Sequence, residues 1–142
     1  MVTGIDYNPK GQRLRVVYGN GVTSTLSYDP LTFRLTRCHT ARVDATLQDL
    51  RYTYDPVGNI LRISDAAQPS LIFRNRLVSA DLDYRYDSRY RLIEATGREH
   101  LSQGAAVPPG ASDAIRSRLP HPHDGDAMAR YRERYFYDRS AT

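Results

Sequence analysis

At 142 residues the chain is about one domain's worth of protein. Its single cysteine excludes an internal disulfide, and no stretch approaches the roughly 18 apolar residues of a membrane-spanning helix. The net charge of +4 rests on arginine, Lys10 being the only lysine, and the arginines alternate with Asp and Tyr without forming a run, which argues against a nucleic-acid partner.

In chain order, the first ten residues lack a basic start followed by an apolar block, so no cleaved export signal is predicted. Arg15-Val16-Val17-Tyr18 and Val22-Thr23-Ser24-Thr25-Leu26 read as two strands around Asn20-Gly21, residue types that accept the positive φ of a tight hairpin turn. Leu50-Arg51-Tyr52-Thr53-Tyr54 alternates apolar and polar residues, the period of a half-buried strand. Leu82-Asp83-Tyr84-Arg85-Tyr86 repeats that alternation, and Tyr135-Phe136-Tyr137 is predicted to be a further strand. Residues 90–100 favour strand over helix. Residues 102–127 are rich in Gly, Pro, Ala, Ser and His and read as one long inserted loop. The expected organisation is repeat hairpins over residues 1–101, the loop over 102–127, and the start of another repeat over 128–142.

A unit recurs within this pattern. Tyr52-Thr53-Tyr54-Asp55-Pro56-Val57-Gly58-Asn59-Ile60-Leu61 is matched by Tyr84-Arg85-Tyr86-Asp87-Ser88-Arg89-Tyr90-Arg91-Leu92-Ile93. Tyr28-Asp29-Pro30 opens a looser copy, Tyr137-Asp138 another, and Tyr7-Asn8-Pro9 a worn one. In Tyr7/Leu14, Tyr28/Leu35, Tyr54/Leu61 and Tyr86/Ile93 an apolar residue follows the tyrosine by seven. Fixed offsets of this kind mark one supersecondary unit used repeatedly. The Asp of each pair suits a turn, since its carboxylate can accept from the backbone two residues on, and Gly58 supplies a left-handed position. The eleven tyrosines suit a thin, half-wet sheet, and cross-strand ladders of their rings are expected to join neighbouring hairpins.

Chemistry-bearing clusters are weak. His121, His123, Asp124 and Asp126 are metal-ligand types, but Pro122 and a loop-like setting favour a solvated polar segment. Cys38 and His39 are neighbours on a predicted strand and point to opposite faces, so they cannot act as nucleophile and base. Nothing in the sequence positions Glu94, Glu99 and His100 as acid and base, and no glycine-rich phosphate cradle is present. No catalytic residue, cofactor or metal is assigned.

The Tyr-x-Tyr-Asp-x-x-Gly-Asn-x-Leu unit at Tyr52 to Leu61 resembles the YD repeat of the Rhs family. That family includes bacterial Rhs polymorphic toxins, animal teneurins and the B and C components of insecticidal toxin complexes. Val2-Thr3-Gly4-Ile5-Asp6-Tyr7-Asn8, Tyr18-Gly19-Asn20-Gly21-Val22 and Leu92-Ile93-Glu94-Ala95-Thr96-Gly97-Arg98-Glu99-His100 are similar to the shell-forming part of the B component. The resemblance implies an all-β chain of consecutive antiparallel β-hairpins, a curved strip of a larger shell with one long loop. It implies a structural repeat carried by Tyr28, Asp29, Tyr52, Tyr54, Asp55, Gly58, Asn59, Tyr84, Tyr86, Asp87, Tyr135, Tyr137 and Asp138. Asp55-Pro56-Val57-Gly58 echoes the family's Asp-Pro-x-Gly cleavage motif, but its flanking residues mark it as an ordinary repeat turn, and no counterpart of the family's autoprotease or variable toxic domain is expected here.

The implied partners are the remaining shell, an enclosed toxin polypeptide and a translocation-pore component, in a complex secreted after a cytoplasmic stage. A second reading makes the Tyr52/Tyr54 face a carbohydrate-binding or cell-surface module, because aromatic rings flanked by Arg and Asp can stack sugars. An enzyme would need a metal site in the His121 loop or an autoprotease.

Overall fold

A computed structural model describes residues 1–100 and 127–138. Their regular structure is all strand, and the chain divides into two compact units, Met1–Gln68 and Pro69–Thr142. The cluster at His121 and nearly all of the expected loop lie outside the described residues.

The first unit is an antiparallel meander of β1 (Val2–Tyr7), β2 (Arg13–Tyr18), β3 (Val22–Tyr28), β4 (Leu35–Arg42), β5 (Ala45–Tyr54) and β6 (Ile60–Asp65), each paired with the next. The Asn20-Gly21 hairpin forms as read: Gly21 has φ 79° and its N–H donates to the Tyr18 carbonyl at 3.1 Å. Because the strands alternate direction, the turns at residues 8–12, 29–34 and 55–59 share one end of this sheet, and those at 19–21 and 43–44 share the other. In this unit the repeat is therefore a strand pair, with its turns after Tyr7, Tyr28 and Tyr54 at the same end.

The cross-strand register sorts the two faces. Ile5 opposes Val16, Val16 opposes Ser24 and Ser24 opposes Thr40, so one face carries the apolar row together with Leu26, Cys38 and Leu50. The other carries Asp6, Arg15, Thr25, His39, Asp49 and Arg51. Packing is thin: the buried apolar residues are Val16, Val78, Ala95 and Ala127, and no large side chain is fully enclosed among the described residues. Hydrogen bonding takes up the remainder. Ser24 and Thr40 share a 2.8 Å hydroxyl contact, and Asp49, only 7% exposed, accepts from Nε and NH2 of the Arg37 guanidinium. Arg37 holds the Asp49 carboxyl below the usual carboxylate range, against the opposing pull of burial.

In the second unit β9 (Leu82–Tyr86), β10 (Leu92–His100) and β11 (Met128–Arg134) pair in antiparallel order, and β7 (Leu71–Phe73) forms a separate hairpin with β8 (Arg76–Val78). Residues 92–100 are strand, as expected. The small hairpin is absent from the sequence reading. Its turn puts Arg74 at φ 48° and Asn75 at φ 62°, and an arginine at the first left-handed position gives no recognisable turn signal. The last strand also departs from expectation. β11 ends at Arg134, before Tyr135-Phe136-Tyr137, although the Tyr135 N–H adds one more bond to the Ile93 carbonyl at 3.0 Å. Phe136 is 90% exposed, at the position that Thr53 and Arg85 hold in the other repeats.

Candidate functional site: the joints between repeats

The Tyr-Asp turns share one construction. Asp55 Oδ1 accepts from the backbone N–H groups of Gly58 at 2.7 Å and Asn59 at 2.8 Å, and its Oδ2 accepts from the Asn59 side-chain amide at 2.8 Å. Asp87 Oδ1 accepts from the N–H groups of Arg89 and Arg91, and Oδ2 from Arg91 Nε at 2.8 Å. Asp29 accepts from the N–H groups of Leu31 and Thr32 and from the Thr32 hydroxyl. In the worn copy Asn8 substitutes, its Oδ1 accepting from Lys10 and Gln12 N–H. The backbone closes each loop in the same way, with N–H of Asn8, Asp29, Asp55 and Asp87 donating to the carbonyls of Gln12, Arg34, Asn59 and Arg91. The residue before each closing position is left-handed: Gly11 at φ 78°, Phe33 at 60°, Gly58 at 114° and Tyr90 at 61°.

Hydrogen bonding to the ionised form lowers three of these carboxyls. The backbone N–H of Thr32 leads for Asp29 and that of Arg91 for Asp87. For Asp55 burial pushes upward, but the Asn59 side chain and the N–H groups of Asn59, Gly58 and Val57 together outweigh it.

Successive repeats meet through hydroxyl-to-carbonyl bonds. Tyr28 Oη donates to the Arg13 carbonyl at 3.0 Å, Tyr54 Oη to the Leu35 carbonyl at 2.8 Å and Tyr137 Oη to the Leu92 carbonyl at 2.7 Å. Each acceptor has the same place in its repeat: Arg13 is the cross-strand partner of Tyr7, Leu35 that of Tyr28 and Leu92 that of Tyr86. The tyrosine of one repeat thus caps the carbonyl opposite the preceding repeat's tyrosine. In the first unit a register shift falls beside Tyr7, Tyr28 and Tyr54, a bulge that re-aims the local side chains.

Within the first unit the joints seen are these hydroxyl-to-carbonyl bonds, beside the expected ladder of rings across strands. The stacked pair found among the described residues, Tyr52 and Tyr54 at 6.5 Å between centroids, lies on a single strand two residues apart. Burial raises the phenol pKa of both. Tyr84, beside Tyr52 in the repeat pattern, opposes Ala95 in the β9–β10 pairing.

A second joint runs from the closing residue of one turn to the next turn. Gln12 Nε2 donates to the Phe33 carbonyl at 2.8 Å. Arg34 donates through NH1 to the Asp55 carbonyl at 2.9 Å and through NH2 to that of Pro56 at 3.2 Å, with its guanidinium 5.7 Å from the Tyr54 ring centroid. That guanidinium fills the space above Gly58, where an added Cβ would stand 2.9 Å from NH2. In the second unit Arg91 sits over the Tyr137 ring at 4.6 Å. Sequence reasoning missed Gln12, Arg34 and Arg91. Their shared closing position, one residue after the left-handed one, was the available signal.

Asp138 follows Tyr137, and its turn lies outside the described residues. Cys38 and His39 fall on β4 with cross-strand partners Leu50 and Asp49. Glu94, 13% exposed at its side chain, lies 3.4–4.0 Å from Arg85, Arg132 and Arg134. Among the described residues no cluster of His, Cys, Asp and Glu could hold a metal, and no helix is long and apolar enough to cross a membrane.

Hairpins closed by Tyr-Asp turns and joined through tyrosine hydroxyls define a YD-repeat sheet. No family model matches the chain. Two toxin subunits of Yersinia entomophaga do: YenC2, 39% identical over 140 residues and 94% of this chain, and YenC1, 40% identical over 146 residues and 97% of it. This chain spans only 14% of the length of either. Among solved structures, the crystal structure of TcdB2-TccC3-TEV is similar with a TM-score of 0.76 at 38% identity, over 98% of this chain and 6% of that one. A Photorhabdus luminescens Tc holotoxin pore carrying a TccC3 mutation matches over the same shares, with a TM-score of 0.75 at 37% identity. The chain is homologous to a segment of toxin-complex subunits, and its Tyr-Asp turns are those the resemblance to the Rhs/YD repeat led one to expect. The repeat phrases pointed to the B component, while the sequence relatives are named YenC.

Proposed function

We propose that this chain is a non-catalytic structural segment of a toxin-complex shell that encapsulates a cytotoxic polypeptide for delivery. The observation that carries the reading is the recurrent bond from a repeat tyrosine to the backbone of the preceding repeat. A sheet joined in this way extends by adding repeats and needs no closed hydrophobic core, which is what the wall of a container requires. The polar clusters support the same role, because among the described residues the carboxylates of Asp29, Asp49, Asp55 and Asp87 are engaged in turns and ion pairs.

In this reading the partners are the remainder of the YD-repeat shell, the enclosed polypeptide and the pore component of the complex. The complex is made in the bacterial cytoplasm and then secreted. Carbohydrate stacking gains no specific support: Tyr52 and Tyr54 stack on each other, and the Tyr54 hydroxyl is committed to Leu35.

Grafting tests the role. This chain, substituted for its homologous segment in YenC2, is expected to leave the enclosed polypeptide resistant to added protease. Adding Tyr28→Phe and Tyr54→Phe to the graft should lower the urea concentration at which that polypeptide is digested. Immediate digestion in the unmutated graft would overturn the proposal.

A further inference from the structure

β1 is an edge strand of the first unit: it pairs with β2 on one side, and its other side carries no strand among the described residues. Two joints that are closed elsewhere in this unit stand half made there. Tyr7 is the turn tyrosine of its repeat, as Tyr28 and Tyr54 are of theirs, but it is 57% exposed and its hydroxyl meets no acceptor among the described residues. Gly11 is the left-handed residue of its turn, as Gly58 is of a later one. A Cβ added at Gly11 would meet nothing within 4 Å, whereas at Gly58 it would run into the Arg34 guanidinium.

We propose that the β1 edge docks a further Tyr-Asp hairpin, antiparallel to β1, which presents to Tyr7 Oη the carbonyl opposite its own turn tyrosine and lays an arginine at its closing position over Gly11. The inference rests on reading the sheet as a wall that grows by repeats, and it names the side chains by which this edge selects its neighbour. The hydroxyl bond follows from register. Tyr28 and Tyr54 reach the carbonyls of Arg13 and Leu35, the residues paired with the tyrosine of the preceding repeat. Tyr7 has beside it the same register shift that accompanies those two. A strand added to an open edge gains main-chain bonds whatever its sequence, so the side chains at the turn decide which strand fits.

The arginine follows from what each receiving turn leaves open. Phe33 carries a side chain at the left-handed position, its ring covered by Lys10 Nζ at 3.0 Å, and the joint made there is the single amide bond from Gln12. Gly58 has no side chain, and the Arg34 guanidinium takes that volume, donates to two turn carbonyls and lies near the Tyr54 ring. The turn at Gly11 is of the second kind, a glycine with an exposed tyrosine ring before it. Arginine's planar fork bonds two carbonyls and packs on an aromatic face at the same time, which glutamine cannot do.

A copy of residues 1–21 placed ahead of Met1 tests the docking, because Tyr7 then follows the copy's Gly21 by seven residues, as Tyr28 follows Gly21 in the chain itself. With Gln12→Arg in the copy, the extended chain should protect its original β1 amides from hydrogen exchange roughly tenfold more than the unextended chain does, and should unfold at a higher urea concentration. Tyr7→Phe, without effect in the unextended chain, should lower the extended chain's midpoint by as much as Tyr28→Phe does. Glutamine kept at position 12 of the copy should give a lower midpoint than arginine. Unprotected β1 amides, a Tyr7→Phe variant equal to its extended parent, or equal midpoints with glutamine and arginine overturn the proposal. A dimer of the unextended chain that pairs β1 with β1 and is dissociated by Tyr7→Phe also overturns it, by assigning the edge to a second copy. None of these outcomes bears on protease resistance of the polypeptide enclosed by the YenC2 graft, so the edge and the shell role fail separately. Should the extended chain not fold, a backbone-cyclised peptide of residues 1–21 with Gln12→Arg is added to the unextended chain; protection of the β1 amides supports the docking, and its absence at the highest soluble peptide concentration overturns it.

Discussion

Tyr131 lies across Gly97, its partner on the neighbouring strand, so closely that a Cβ on the glycine would stand 2.6 Å from the ring's Cε1. Leu82 Cδ2 closes the other side at 2.5 Å from the same point. The ring and the isobutyl group occupy the volume that a side chain would take, which compensates for a residue otherwise unfavourable in a strand. Gly97→Ala should therefore destabilise the second unit by about 1–3 kcal/mol through overpacking. Gly4→Ala is the control, since its added Cβ meets only Val17 Cβ at 4.0 Å. Urea unfolding should separate the two variants; equal midpoints would refute the packing account.

Removing a single joint hydroxyl tests the link between repeats. Tyr54→Phe keeps the ring and leaves the Leu35 carbonyl without its donor, at an expected loss of about 0.5–1.5 kcal/mol. Tyr28→Phe should behave alike, because its hydroxyl caps the Arg13 carbonyl. Tyr7→Phe alters a tyrosine more than half exposed and should leave the unfolding midpoint unchanged.

Stability should fall at both extremes of pH. Asp29, Asp49, Asp55 and Asp87 all have depressed folded pKa values, so their contribution is complete above the unfolded aspartate value near ~3.9 and is lost as pH falls through the folded values. Burial raises Tyr52, Tyr54 and Tyr131, whose contribution is present below the unfolded tyrosine value of about 10 and is lost as pH climbs through the folded values. Urea midpoints measured from pH 2 to 11 should form a plateau with an acid shoulder below about pH 4 and an alkaline one above about pH 10. Asp55→Asn should shrink the acid shoulder.

Tyr90 occupies the left-handed turn position that Gly58 fills in the neighbouring repeat, and it is 60% exposed. Relief of that strain outweighs the added freedom of the unfolded chain, so Tyr90→Gly should stabilise relative to Tyr90→Ala by about 1 kcal/mol. Thermal unfolding of the two variants gives the comparison, and an Ala variant as stable as Gly would contradict it.

The exposed apolar side chains suggest association of the isolated chain. Leu31, Val43, Ile72 and Phe136 are each at least 74% exposed, and strands with open edges offer unpaired backbone groups. Sedimentation velocity should show a weight-average mass that rises with concentration. A strictly monomeric chain at high concentration would count against this expectation.

Much of the architecture was legible in the sequence because turns here announce themselves. Asn20-Gly21 and the Asp-Pro-x-Gly-Asn stretch have few conformations open to them, and the alternation at 50–54 fixes which residues turn inward. The joints were only half legible. Tyrosine spacing identified the residues, but a ring and a hydroxyl offer different contacts, and the hydroxyl's partner is a backbone carbonyl that carries no mark in the sequence. The β7–β8 hairpin was hidden for a related reason, since its turn uses Arg74 where Asn or Gly would have signalled it. The arginines of β11 looked scattered until the pairing of β10 with β11 brought two of them, Arg132 and Arg134, to Glu94.

Arg13 and Leu35 have nothing in common as side chains, yet each, like Leu92, accepts a tyrosine hydroxyl through an atom that every amino acid possesses. Mutation at these positions can therefore drift freely without cutting the link, while the donor is confined to tyrosine. A duplicated hairpin brings its own donor and finds an acceptor already waiting, so walls of this kind can lengthen by unequal crossing-over with no compensating change.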